Sequence, residues 1–214
     1  NADVVVRMPT GAGAAAGPFH SQSNEAWFFH TPGLKIVYPS TPYEAKGLLA
    51  AAIEDPNPVM VFEHKFLYRS IREEIPNDYY TVEIGKAKTV KEGNDLSIIT
   101  YGLGVYWAKE YAEKHSDCSI EIIDLRTLLP LDTEAIYDSV KKTGRAIVLH
   151  EDCMTGGIGG EIFALISENC FEYLDAPVKR VASIDTPVPF AAHLEEQFLP
   201  KHRLDEAVSS IMKY

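Results

Sequence analysis

Residues 34–64, LKIVYPSTPYEAKGLLAAAIEDPNPVMVFEH, decide the fold class. The apolar run at 34–38 predicts a strand. Thr41, Pro42 and Glu44 follow it: an N-cap residue, a proline at the first helical position and an acid three residues after the cap, so a helix starts there. Its apolar positions, Ala45, Leu48, Leu49, Ala52 and Ile53, fit a period of about 3.6 residues. Asp55-Pro56-Asn57-Pro58 stops it, because proline cannot continue a helix and pushes the residue before it out of the helical region. Residues 59–62 read as the next strand.

The same alternation extends in both directions. Upstream, residues 4–8 read as a buried strand, 9–19 as a Gly/Ala loop containing TGAGAAAGPF, and 23–30 as a short helix. Downstream, residues 65–83 are charged, aromatic and proline-containing without a period, the character of a linker. A second unit then carries strands at 87–90, 96–101, 120–125, 146–150 and 178–183. Helices are expected at 105–115, 133–142, 157–169 and 204–212. Asp132 caps the second of these and Gly144 ends it. Near-continuous apolar strands between helices mean an α/β fold with a mostly parallel sheet covered on both faces. The first unit shows only three strands, where a doubly wound sheet has about five or six. The chain also opens on a strand, NADVVVR, without an initiator Met. Both features are expected of the C-terminal part of a longer polypeptide.

Composition narrows the function classes. The 214 residues carry a net charge of −11, and 46% are hydrophobic, enough for a sizeable core. The acidic balance argues against a nucleic-acid or anionic-membrane surface as the main function. No apolar run approaches the roughly 20 residues of a membrane span. Cys118, Cys153 and Cys170 have no CxxC spacing and suit a reducing compartment.

Among chemistry-bearing residues, His20 in HSQS follows the flexible loop at the end of a strand, where open α/β sheets place active sites. An imidazole there can exchange protons near neutral pH. The alternative is a loop histidine that only caps the next helix. EDCMTGGIGGE, residues 151–161, puts glycines between a strand and a helix, but their spacing is not a dinucleotide fingerprint and no phosphate-binding lysine follows. A turn packing against another chain reads equally well. DTPVPF, residues 185–190, reads as a rigid structural or interfacial turn. Glu73 and Glu74 make a poor acid–base pair, the seven histidines lack zinc spacing, and Cys153 lacks a paired base. From the residues alone the chain is an acidic α/β protein with a candidate histidine loop.

Taken in order, HSQSNEAWFFHTPGLKIVYPSTPYEAKGLLAAAIEDPNPVMVFEHKFLYR, DLSIITYG, IDLRTLLPLD, KTGRAIVLHED, TGGIGGEI and DTPVPF resemble the C-terminal two thirds of the beta chain of thiamine-diphosphate-dependent 2-oxo acid dehydrogenases. HSQS, FEHKFLYR and TGGIGGEI are most similar to the branched-chain, 2-oxoisovalerate type. PSTPYEAKGLL and SIREEIP are shared with some pyruvate enzymes. The resemblance implies the latter part of a pyrimidine-binding doubly wound domain at 1–70, a linker at 71–83 and a transketolase-type C-terminal domain at 84–214.

The resemblance also implies oxidative decarboxylation of a branched-chain 2-oxo acid with transfer of the acyl group to lipoyl. Thiamine diphosphate would be the electron sink. It and its magnesium would be held mainly by segments outside this chain, so no cofactor-binding residue is assigned. The implied partners are an alpha chain or fused alpha region, a second beta chain and a lipoyl-bearing acyltransferase, in a bacterial cytoplasm or a mitochondrial matrix. No nucleic-acid or membrane partner is implied. His20 matches the family histidine expected to move a proton to the dithiolane sulfur. A structural potassium ion is implied at the carbonyls of Ala52, Asp55 and Asn57, with further ligands from Val4 and Val5. The alternatives are a pyruvate or acetoin dehydrogenase beta chain, another transketolase-group enzyme, or a non-catalytic assembly and docking module.

Overall fold

In the computed structural model, which describes residues 2–214, the strand–helix–strand unit forms around a strand with no exposed face. β1 (Val5–Thr10) leads through a loop with α1 (Gly17–His20) to α2 (Glu25–Phe29), β2 (Lys35–Val37), α3 (Pro42–Glu54) and β3 (Val59–His64). All six β3 residues are buried, with β1 and β2 pairing parallel on either side. α3 starts where the cap predicts: Thr41 Oγ1 accepts from Glu44 N at 3.2 Å. The Glu44 carboxylate does not reach back to the cap; it accepts from Ser40 Oγ at 3.0 Å and pairs with Lys88 at 3.3 Å.

After α4 (Leu67–Ser70), residues 71–87 carry no regular element but are not loose. Val82 N donates to the Gly47 carbonyl at 3.0 Å, and Tyr80 stacks on Tyr43 at 4.5 Å. Gly47 permits this approach, since a Cβ there would lie 2.5 Å from the Val82 side chain. β4 (Lys88–Lys91), β5 (Leu96–Thr100), α5 (Gly104–Lys114), β6 (Ile120–Asp124), β7 (Thr127–Leu129), α6 (Thr133–Thr143), β8 (Ala146–Cys153), α7 (Gly159–Asn169), β9 (Lys179–Ser183), α8 (Ala192–Phe198) and α9 (Leu204–Ile211) follow. α6 is bounded as its sequence predicts, by the Asp132 carboxylate accepting from Ala135 N and by Gly144 at φ +68°.

The second sheet runs β4-β6-β5-β8-β9, parallel except for β4 at its edge. The first runs β1-β3-β2-β7. Its fourth strand departs from the three-strand expectation: β7, from the downstream half, pairs antiparallel with β2. The two sheets therefore share an interior. Ile36, Tyr38 and Phe62 of the first half pack in one cluster with Ile99, Tyr101 and Ile123 of the second. Tyr38 joins them, stacked on Phe62 and tilted against Tyr101 with centroids 5.9 and 5.1 Å apart. Two further differences bear on the site. β8 runs three residues beyond the expected strand and so includes Glu151, and α8 forms where no helix was expected. No helix among the described residues is long and apolar enough to cross a membrane.

Candidate functional site

The carboxyl ends of β1, β3 and β8 meet beneath the loop at residues 11–24. The loop is closed on itself, because Thr10 Oγ1 and Gly11 N both donate to the Gln22 carbonyl, at 2.5 and 3.2 Å. Gly11, at φ +94°, crosses the face of the His64 ring so closely that a Cβ would fall 2.2 Å from Nε2; only glycine meets both demands. His20 ends α1 and is exposed, its backbone carbonyl accepting from Lys65 Nζ.

Below the loop lies a buried histidine–carboxylate pair. His64 Nε2 is 2.6 Å from Glu151 Oε2, and both side chains are almost inaccessible. His64 Nδ1 accepts from Phe66 N at 3.3 Å, so the proton sits on Nε2 and points at the carboxylate. The other oxygen, Glu151 Oε1, accepts from Ala12 N at 2.7 Å and Ser23 Oγ at 3.1 Å. Burial by itself raises the Glu151 carboxyl, but His64 and the Ala12 and Ser23 donors outweigh it and hold the group below its ordinary value. Two neighbouring acids go the other way. Burial, then the charge of Asp152, pushes Glu25 up to about 8, although it accepts from Tyr101 OH at 2.7 Å. Burial lifts Asp152 to about 6. One ionised carboxylate thus sits beside a carboxylic acid that keeps its proton at neutral pH. A cavity of about 460 Å³ opens alongside, lined by Ser23, Trp27, Asp152, Thr155, Thr186 and Phe198.

The residues singled out from sequence fall in different places. His20 belongs to the loop over the His64–Glu151 pair. Ala52 lies buried in the last turn of α3, with Asp55 and Asn57 on the turn beyond it. The Asp55 carboxylate is occupied by Lys35 Nζ and by Asn57 N and Nδ2, at 3.0 and 2.9 Å. The Ala52 carbonyl has no donor four residues on, because residue 56 is proline, and the Asp55 N–H does not close on the helix. Free carbonyls at the negative end of a helix fit a hard cation. The Val4 carbonyl accepts from Val59 N at 2.9 Å. Among the described residues no three His, Cys, Asp or Glu side chains converge as a metal site.

Two glycines of the motif make room for a ring of their own chain. A Cβ on Gly157 or Gly159 would come within 2.6 or 2.4 Å of the His150 ring, which is fully buried with neither nitrogen partnered. Asp185 accepts from Thr155 N at 2.8 Å and Oγ1 at 2.6 Å, and the Phe190 ring fills the space at Gly17, a structural use of the DTPVPF turn. Burial, Asp152 and Asp185 raise the Cys153 thiol, against a reactive thiolate. The sequence reading did not bring out His64 and Glu151 as partners. The usable signal was their shared position at the carboxyl ends of parallel strands, but they are 87 residues apart.

Comparison with known proteins adds the following. Residues 85–203 match the model of the transketolase C-terminal domain, and residues 1–70 that of the transketolase pyrimidine-binding domain. The 2-oxoisovalerate dehydrogenase subunit beta of Bacillus subtilis is 49% identical over 199 residues, 92% of this chain and 61% of that protein. The mitochondrial subunit of the same name from Dictyostelium discoideum is 46% identical over 215 residues, 99% of this chain and 58% of that protein. A pyruvate dehydrogenase E1 component subunit beta, also from Bacillus subtilis, is 46% identical over 202 residues, 94% and 62% of the two chains. The chain spans about three fifths of the length of these relatives. Among solved structures, a split gene transketolase described as an inactive beta4 tetramer superposes with a TM-score of 0.74 at 23% identity, over 98% of this chain and 66% of that one, a likeness of fold.

Proposed function

The chain belongs to the transketolase family, and from that premise we propose that it is part of the decarboxylating component of a 2-oxo acid dehydrogenase. The substrate class we assign is the branched-chain 2-oxo acids, with the acyl group passed to lipoyl. The observation that carries this reading is the exposed imidazole of His20, on a pinned loop over the carboxyl ends of parallel strands, in a chain 49% identical to a 2-oxoisovalerate dehydrogenase beta subunit. The HSQS motif favours the branched-chain class. A pyruvate-type substrate is the second reading, favoured by relatives of nearly equal identity.

Thiamine diphosphate would supply the electron sink for loss of carbon dioxide. We place its magnesium–diphosphate site mainly on an alpha chain or fused alpha region. His20 presents an imidazole that gives a proton to the acceptor sulfur and regains it from solvent. A second beta chain and a lipoyl-bearing acyltransferase complete the proposed assembly, in a bacterial cytoplasm or mitochondrial matrix. The domain division we propose is 1–70, 71–83 and 84–214. We also propose a potassium ion on the carbonyls of Ala52, Asp55 and Asn57.

The test uses the full-length protein assembled with its alpha partner. 2-Oxoisovalerate should give a higher kcat/KM than pyruvate. His20→Ala should reduce acyl transfer to a lipoyl domain at least ten-fold more than decarboxylation with an artificial electron acceptor, a difference worth about 1.4 kcal/mol. Equal losses in the two assays would refute the role of His20, and a preference for pyruvate would refute the substrate.

A further inference from the structure

The loop that carries His20 is held from above and below by different parts of the chain. Its ends are joined to each other at Gln22. Every carboxylate that accepts from it comes from the downstream half. Glu151 Oε1 takes Ala12 N and Ser23 Oγ, one near each end of the loop, and Glu195 Oε2 takes Ala15 N at 2.8 Å. The second oxygen of Glu151 is fixed by His64 at the end of β3. One carboxylate from β8 therefore fastens both ends of the loop and the strand beneath it. The Ala12 N bond to Glu151 is buried, and charge-assisted bonds of this kind are the strong ones.

We propose that Glu151, backed by His64, is a positioning residue that sets the His20 loop, so that proton delivery by the first half of the chain depends on a carboxylate supplied by the second. The proposal rests on the reading of His20 given above, but its structural part stands apart from the reaction. Glu151 touches no substrate in this role. It acts by limiting where the imidazole on the loop can lie.

Hydrogen–deuterium exchange followed by mass spectrometry, on the full-length protein assembled with its alpha partner, reads the loop directly. In Glu151→Ala the amides of residues 11–24 should exchange at least about ten-fold faster, the loss expected for one charge-assisted bond, while β5 and β6 keep their protection. Glu151→Gln keeps one oxygen for Ala12 N and Ser23 Oγ but turns its amide NH2 towards the His64 Nε2–H, so it should restore part of that protection. In the same variants, acyl transfer to lipoyl should fall more than decarboxylation with an artificial acceptor, and Gln should recover it in step with the loop. Unchanged exchange at 11–24 in Glu151→Ala overturns the proposal. So does faster exchange spread evenly over the strands, which would make Glu151 a support of the whole fold. If Glu151→Ala does not assemble, Ser23→Ala alone removes one tie and should raise exchange at 20–24 only; no rise there overturns it. A parent enzyme that never acylates lipoyl would refute the functional reading while leaving the exchange result to judge the positioning role.

Discussion

Replacing Gly159 by alanine puts one methyl group against a wall that cannot retreat. The added Cβ would sit 2.4 Å from His150 Nε2 and 2.6 Å from Cδ2, with Val148 Cγ1 at 3.5 Å behind. His150 is wholly buried, so the ring has no solvent to swing into. Overpacking of this kind costs about 1–3 kcal/mol, and contact with a confined ring places it near the upper end. Alanine's better helix propensity offsets at most about 1 kcal/mol, less at the first position of α7. The net expectation is a loss of about 2 kcal/mol, or roughly 4–8 °C in Tm for a chain of this size. The decisive measurement is a double-mutant cycle by urea unfolding of the full-length chain. His150→Ala removes the obstacle, so the pair should be less destabilised than the sum of the single variants by about 1–2 kcal/mol. The ring adds a pH signature. Burial, then the charge of Arg180, lowers His150 from 6.5 to about 4, so the unfolded chain takes up a proton that the folded chain refuses. Stability therefore falls as pH drops from 6.5 towards 4, and His150→Ala should flatten that slope. Additive single effects within about 0.5 kcal/mol would refute the account of the glycine motif as space made for His150.

Glu25→Gln keeps an oxygen for Tyr101 but cannot titrate. The folded parent holds its proton up to about 8 while the unfolded chain releases it near 4.5, so the parent loses stability as pH rises through that window. The Tm difference should move in favour of Glu25→Gln between pH 5 and 8.5, and a flat difference would refute the buried neutral acid. Exchange of potassium for a bulky organic cation should lower the Tm of the assembled full-length protein by a few degrees, with potassium alone restoring it, as expected for a ligand that binds only the folded state. Asp55→Ala should keep part of that response, because the proposed ligand is a backbone carbonyl; an identical Tm in both salts would refute the site.

Where a residue's effect is local, the sequence was readable. Thr41-Pro42 and Asp132 through Gly144 marked the ends of α3 and α6, because caps act over three or four residues. β3 and the central strands of the second sheet were plain as apolar runs. β7 was missed because three residues carry no period, and what makes Thr127–Leu129 a strand is its partner β2, about ninety residues upstream. α8 was missed for a related reason: its seven residues gain their order by burying Phe198 and Glu195 against distant segments. His20 could be singled out because a loop histidine after a strand has a recognisable setting. Glu151 and His64 were not, since a buried pair is defined by a meeting in space. The glycines of TGGIGGE invited a reading as a ligand cradle or an interchain turn, and only coordinates reveal the imidazole that occupies the room they leave.

The route of β7 separates the order of the chain from the order of the architecture. The polypeptide finishes its first half, crosses residues 71–87, lays down β4, β5 and β6, and then returns to add an edge to the sheet it left behind. The β7 edge of that sheet is therefore added only after β4, β5 and β6 have been laid down. The covalent tether between the halves is not what keeps them together, because hydrogen bonding and aromatic contact already stitch them face to face. Neither half is a cassette: transplanting one into a relative would carry over a missing rail or a surplus one, and the exchange would have to include the borrowed edge.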